Sequence, residues 1–273
     1  MKTFRNRVAV VTGGGSGIGA ALARGFAGEG MHVVVSDIEL DRAEQVAAEL
    51  RERDVRSLAV RTDVAEAAEV GALADAAFKE FGEVHVLCNN AGVLLMGSLT
   101  EMRAEDWRWI FSVNLMGVVH GVEAFLPRMR AQAGEGHIVN TASVAALGAG
   151  GIYGASKAAV LSLSESLQRE LAGSGIGVSV LCPSYVNSRI LGAQRNRPAE
   201  FGPPAAEPYG RMEVTTGLDP STVANATLRA IRSGELYVFT YPRQGREQLE
   251  PPFEARFQKI RDAIALGQEP DPA

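Results

Sequence analysis

Two hydrophobic patterns alternate along the chain. Short runs rich in valine, isoleucine and leucine predict strands at "RVAVVT" (7–12), "MHVVVSD" (31–37), "SLAVRTD" (57–63), "VHVLCNN" (84–90), "GHIVNTAS" (136–143), "GVSVLCPS" (177–184) and "ELYVFTY" (235–241). Between them, apolar residues recur at three- and four-residue spacing and predict helices over 17–30, 40–53, 65–82, about 104–132 and about 152–172. The strand runs are continuously apolar rather than alternating, as expected of strands buried on both faces of a parallel sheet. Alternation of strand and helix then predicts an α/β fold: one doubly wound parallel sheet of about seven strands, helices on both faces, ligands at the strands' carboxyl ends.

One segment breaks the rhythm. Residues 189–217 contain Pro198, Pro203, Pro204 and Pro208 and little periodicity, so they are expected to form an irregular lid after the sixth strand. The tail, about 243–273, is expected to add a helix or an irregular end. No repeat or linker interrupts the 273 residues, which reads as a single dinucleotide-binding catalytic domain once the motifs below are added.

Composition removes several function classes. Hydrophobic residues make up 46% and charged residues 22%, the balance of a globular core, and the net charge is −5 with no basic run, which argues against nucleic acid or an anionic membrane surface as partner. No 18 consecutive apolar residues occur and the first residues lack the apolar core of a signal peptide, so neither a membrane span nor export is expected. Cys88 and Cys182 lie in apolar runs without metal-like spacing and read as buried thiols of a cytoplasmic protein. His32, His85, His120 and His137 form no cluster and read as structural, so no metal is expected.

Chemistry enters with "VTGGGSGIGAAL", which leaves the first strand and opens the first helix. Gly13, Gly17 and Gly19 permit a tight turn and a close approach of phosphate to the backbone, with the helix N-terminus facing the anion. Asp37 ends the second strand, 24 residues beyond Gly13. A carboxylate there accepts hydrogen bonds from adenosine ribose and repels a 2′-phosphate, and Ile38 follows it rather than a base. The pattern favours NAD over NADP, with helix capping as the alternative use of Asp37.

Further motifs follow in order: "TDV" with Asp63, "NNAG" at 89–92, Asn114 in "FSVNLMGV", Ser143 at the end of the fifth strand, "YGASK" at 153–157 and "PSYVNS" at 183–188. Together with "TGGGSGIG" they resemble the short-chain dehydrogenase/reductase family over about residues 7–188 and more loosely to 241. The resemblance implies a Rossmann-type fold and an NAD-dependent alcohol dehydrogenase or carbonyl reductase. Gly13, Ser16, Gly17, Ile18 and Gly19 would hold the pyrophosphate, Asp37 the adenosine ribose, and Asp63 with Val64 the adenine. Asn89, Asn90, Ala91 and Gly92 would brace the sheet and line the cofactor, and Pro183, Val186 and Ser188 would close over the nicotinamide. Asn114, Ser143, Tyr153 and Lys157 match the catalytic four, with Tyr153 and Lys157 also contacting the cofactor. The chain departs from the family's usual residues at Cys88, Ser184 and Ser188, each a small replacement. The resemblance further implies a homotetramer or homodimer assembled through the helices at about 104–132 and 152–172.

The residues themselves explain why the set suits alcohol oxidation. A tyrosine hydroxyl, with an ordinary pKa near ~10, is a poor base unless a nearby cation favours its phenolate. Lys157 follows Tyr153 by four and so shares its helix face. Ser143 would hold the substrate oxygen and Asn114 would support a water chain from Lys157. Leu94, Leu95, residues 144–151, Tyr185 and the lid should form the substrate wall, which favours a hydrophobic secondary alcohol or its ketone. Arg189, Arg195 and Arg197 in the lid could meet an acidic substrate. The stretches "RNRPAEFG", "GLDPSTVANATLRAIRSGELYVFTYP" and "REQLEPPFEARFQKI" are similar to the C-terminal part of aryl-alcohol Cα-dehydrogenases of lignin β-aryl ether breakdown, which implies a bulky benzylic alcohol.

Overall fold

The computed structural model describes residues 1–132, 134–148, 150–203, 217–241 and 246–266. Its centre is one parallel sheet built from β1 (Val8–Thr12), β2 (His32–Asp37), β3 (Ser57–Arg61), β4 (Val86–Asn89), β5 (Gly136–Thr141), β6 (Ile176–Pro183) and β7 (Tyr237–Thr240). The strand order is β3-β2-β1-β4-β5-β6-β7. The order reverses between β1 and β4, which opens a crevice at their carboxyl ends.

The helices are α1 (Gly17–Gly28), α2 (Leu40–Arg51), α3 (Ala67–Phe81), α4 (Ala104–Phe111), α5 (Gly117–Ala131), α6 (Gly151–Glu170), α7 (Pro220–Ser233) and α8 (Arg246–Leu266). Alternate strand residues feed two cores. Ala9, Val11, Val33 and Val35 pack with α1, α2 and α7, while Val8, Val10 and Val34 pack with α3, α5 and α6. Continuous apolar strands are needed because both faces are covered.

The edge strands depart from that expectation. β7 alternates, with Tyr237 and Phe239 exposed at 48% and 38%, and most of β3 is half-buried. At a sheet edge only one face meets a helix fully. The helix expected over 104–132 is also interrupted: a π-helical turn, Ser112–Met116, separates α4 from α5. This segment contains a window of mean hydropathy 1.4, apolar enough by length and composition to cross a membrane, although the sequence has no long unbroken apolar run. In the structure, 44% of that window is buried, and Trp109, Ile110, Val118 and Phe125 are core residues.

α7 is a helix that the spacing did not single out. Its start is set by Asp219, whose side chain accepts from Ser221 N at 2.8 Å, and by Pro220 in the first turn. Its end is set by Gly234 at φ +75°. The start of the expected lid is less irregular than predicted, with 3-10 turns at Arg189–Asn196 and Ala199–Phe201. Residues 204–216, the rest of that segment apart from Gly217, lie outside the described residues, as do 243–245 and 267–273 of the expected tail.

Candidate active site

The crevice at the switch point is a cleft of about 980 Å³, within the range of small-molecule and cofactor sites. Gly13, Ser16, Gly17, Ile18 and Gly19 line one end. Gly13 and Gly17 have φ of +63° and +50°, and a Cβ on Gly19 would stand 2.0 Å from Gly13 O. Ser16 begins α1 without a side-chain cap, so the first-turn N–H groups face the cleft without that partner. This is a cradle that fits a pyrophosphate.

Asp37 lines the same end, where its Oδ2 accepts from Gly15 N at 2.9 Å and its Oδ1 from Glu39 N at 3.0 Å. It does not cap α2, whose N-cap is Glu39; it ties the glycine turn to the loop after β2. Asp63 Oδ1 accepts from Ala65 N at 3.0 Å, and Val64 presses on Gly117 of α5. These groups form the wall suited to an adenosine.

Thr12 opens the glycine motif, where it has no assigned role. Its hydroxyl accepts from Asn90 N at 3.0 Å and Ala91 N at 3.1 Å, joining the ends of β1 and β4. Asn89 Nδ2 donates to Asn140 Oδ1 at 2.9 Å, which braces β4 against β5. Gly92 leaves little room for a side chain, because a Cβ would lie 3.2 Å from Asn114 Oδ1 and 3.3 Å from Lys157 Nζ. On the opposite rim, Val186 bridges to Leu218, and Ser188 lies against Gly17, whose added Cβ would be 2.8 Å from Ser188 Cβ. Pro183 lines the cleft at the end of β6.

The floor holds Ser143, Tyr153 and Lys157. Ser143, in extended backbone after β5, accepts from Ala145 N at 3.1 Å. Lys157 is 2% exposed and donates from Nζ to Thr141 O at 2.7 Å. Its ammonium lies 5.8 Å from the centroid of the Tyr153 ring. Asn114 does not line the cleft. Its Oδ1 accepts from Val93 N at 2.8 Å, and its Nδ2 donates to Val93 O at 2.9 Å and to Ser156 Oγ at 3.0 Å. Ser156, inside the Tyr153–Lys157 motif, donates in turn to Tyr153 O at 2.7 Å. The π turn at Asn114 therefore ties α6 to the segment after β4.

Electrostatics on this floor are dominated by burial. Loss of water pushes the Tyr153 phenol up to about 12, against the pull of its hydrogen bond with Ser143. The same loss lowers the Lys157 ammonium to about 8, with the Cys182 thiol acting weakly in the other direction. The expectation that a cation held close brings the phenol down is not met: burial outweighs it. Removing both groups from water favours the neutral form of each.

The substrate end is walled by Leu94, Leu95, Met96, Trp109, Tyr185 and Phe201. Among the described residues, the lid arginines are engaged. Arg189 Nη1 and Arg195 Nη2 reach Glu39 Oε2 at 3.0 and 3.1 Å. Arg197 is buried with Asp106, Nη2 to Oδ1 at 2.8 Å, and its guanidinium lies 4.9 Å from the Trp109 ring centroid. Among the described residues, no group of three or more His, Cys, Asp or Glu is placed to hold a metal.

A doubly wound sheet with a phosphate cradle at its switch point and an acid at the end of β2 defines a dinucleotide-binding fold. Comparison with known proteins agrees: residues 7–199 match the short chain dehydrogenase family model. The chain is 34% identical to a Cα-dehydrogenase of Sphingobium sp. (strain SYK-6), covering 100% of this chain and 90% of that protein. It is 42% identical to a 1-deoxy-11-beta-hydroxypentalenate dehydrogenase of Streptomyces exfoliatus over 69% of this chain and 70% of that one. A short chain dehydrogenase/reductase of Burkholderia phymatum, solved in complex with NAD, superposes with a TM-score of 0.86 at 40% identity over 100% of this chain and 99% of its own. The chain belongs to the short-chain dehydrogenase/reductase family and is an oxidoreductase.

Proposed function

We propose that the chain is one catalytic domain, a cytoplasmic NAD-dependent dehydrogenase interconverting a neutral, hydrophobic secondary alcohol and its ketone. The observation that carries this reading is Tyr153 on the cleft floor, between Ser143 and the buried Lys157. Bound NAD would supply the hydride acceptor. Tyr153 exchanges a proton with the substrate oxygen, Ser143 holds that oxygen, and Lys157 favours the phenolate while reaching the cofactor ribose. Asn114 positions α6 through Ser156.

Neutrality of the substrate is supported by the lid, where Glu39 and Asp106 already pair Arg189, Arg195 and Arg197. Similarity to a Cα-dehydrogenase, together with Trp109 and Phe201 in the wall, supports a bulky benzylic alcohol. The high phenol pKa favours a second reading, in which the protonated Tyr153 mainly donates in ketone reduction. Assembly as a homodimer or homotetramer through α4, α5 and α6 follows from family likeness.

The test is a panel of alcohols and ketones assayed with NAD and NADP in parallel at the NADH absorbance band. Turnover of hydrophobic secondary alcohols with NAD is expected. A protein that binds NAD yet turns over nothing would be a sensor instead, and a preference for acids would sink the neutral-substrate reading.

Cofactor choice has its own test. Asp37→Asn keeps an acceptor for Gly15 N but removes the charge. Hydrogen bonds to charged groups contribute about 1.5–3 kcal/mol, so KM for NAD is expected to rise roughly 10–100-fold while NADP becomes usable. An unchanged NAD/NADP ratio in kcat/KM would remove Asp37 from cofactor selection.

The pH dependence has a defined sign. Oxidation needs Tyr153 deprotonated, so with the phenol near about 12 its kcat/KM should climb as pH rises through the alkaline range. Reduction needs Tyr153 protonated, so it should stay level across neutrality and fall only as the phenol ionises, near about 12. Initial rates in both directions check this, and parallel slopes would exclude Tyr153 as the titrating group.

A further inference from the structure

α8 presents a problem of burial that the cleft does not explain. After the Pro251–Pro252 pair, Phe253, Phe257, Ile260 and Ile264 are exposed at 38, 52, 45 and 66%. Their spacing of four, three and four puts them on one stripe, the core pattern of a short coiled coil. Arg256 Nη1 tethers the helix to Leu147 O at 3.0 Å, leaving this stripe uncovered. The part of the helix beyond the proline pair, Phe253–Leu266, is short enough to be marginal in water without tertiary support, so the stripe calls for an occupant.

The charges beside the stripe select one. Glu254 and Arg261 lie on one flank, seven residues apart, and Arg256 on the other. In a parallel pair, Arg256 would face Arg261 of its neighbour, two like charges. In an antiparallel pair, the Glu254–Arg261 flanks of the two helices meet, and each Glu254 finds an Arg261 twice over, related by a twofold axis. The apolar residues match in the same register, Phe253 with Ile264 and Phe257 with Ile260.

We propose that α8 pairs antiparallel with α8 of a second copy of this chain, burying Phe253, Phe257, Ile260 and Ile264 between Glu254–Arg261 ion pairs. Two heptads bury less than the roughly 800 Å² per partner of a standard interface, so this pair orients an assembly that other faces complete. The proposal stands independently of the reaction assigned above.

The experiment uses full-length protein. Chains carrying Glu254→Cys and Arg261→Cys are coexpressed and treated with a short bis-maleimide; Cys88 and Cys182 are buried and stay silent. A covalent dimer is expected at least tenfold faster from the coexpressed pair than from either variant alone. Ile260→Asp in both chains should abolish it while leaving the melting temperature unchanged. Equal rates in all three samples overturn the proposal, whether α8 then covers the partner's body or stays unpaired. A cross-link that survives Ile260→Asp overturns it too.

Discussion

Tyr153→Phe is expected to lower kcat/KM by about 10²–10⁴-fold, the range of a lost general acid/base, with NAD affinity unchanged. The substitution deletes one oxygen and keeps the ring, so the packing of Tyr153 against the cluster around Trp109, Ile110 and Ile152 is preserved. Lys157 keeps its bond to Thr141 O, and Ser156 still donates to the backbone carbonyl of residue 153. What disappears is the group that moves the proton. Because the cradle at Gly13–Gly19 and the acid at Asp37 lie at the other end of the cleft, NAD titration by fluorescence should give the wild-type Kd. A variant retaining more than a tenth of wild-type turnover would move the acid/base role elsewhere, with Ser143 and Lys157 the next groups to test.

Much of this site could be read in the sequence, and the reason is physical. Glycine turns, an acid at a strand end and a Tyr–Lys pair one helical turn apart are local features, set by backbone geometry within a few residues. The contacts that escaped are those between groups far apart in the chain. Arg197 meets Asp106 across 91 positions and Arg195 meets Glu39 across 156, and neither pairing leaves a local trace. The π turn at Asn114 was invisible for another reason. One added residue per turn shifts the phase of an apolar stripe too little to disturb the period of a long helix. α7 shows the opposite case. Its caps, Asp219 with Pro220 and Gly234, stand in plain view, but its buried face is built largely from small residues, Ala224, Ala226 and Ala230, with Thr227 among them, and so reads as weakly apolar. The edge strand β7 was expected to be buried because its run looks apolar, and only the sheet order reveals that one face has no neighbour.

The substrate wall should fail first at Arg197. This guanidinium joins the lid turn to α4: its Nη2 bonds Asp106 Oδ1 and Phe201 O, its Nε bonds Gly202 O at 2.7 Å, and its plane lies over Trp109. Nη1 is buried without a hydrogen-bond partner, so contact with the Trp109 face is its compensation. Burial works to raise the Asp106 carboxyl. The Arg103 backbone and side chain and the Arg197 charge outweigh it and hold Asp106 below the usual carboxylate range. Arg197→Ala leaves that carboxylate buried with Arg103 as its remaining cation, a change whose upper bound is the loss of about 3–5 kcal/mol seen when a buried pair is broken outright. The lid turn Ala199–Phe201 should then leave α4. KM for the alcohol is expected to rise tenfold or more, with kcat within a few-fold of wild type and Kd for NAD unchanged. Arg197→Lys, which keeps the charge but loses the fork, should recover part of the KM. The depressed Asp106 also fixes a sign: the pair's stabilisation is present above the ordinary carboxylate pKa and is lost as pH falls below it. Acid should therefore raise KM in wild type but not in Asp106→Asn. Steady-state kinetics and thermal melts of the three variants decide the matter, and an equal fall in kcat and in NAD affinity would mean that Arg197 supports the fold at large rather than the substrate wall.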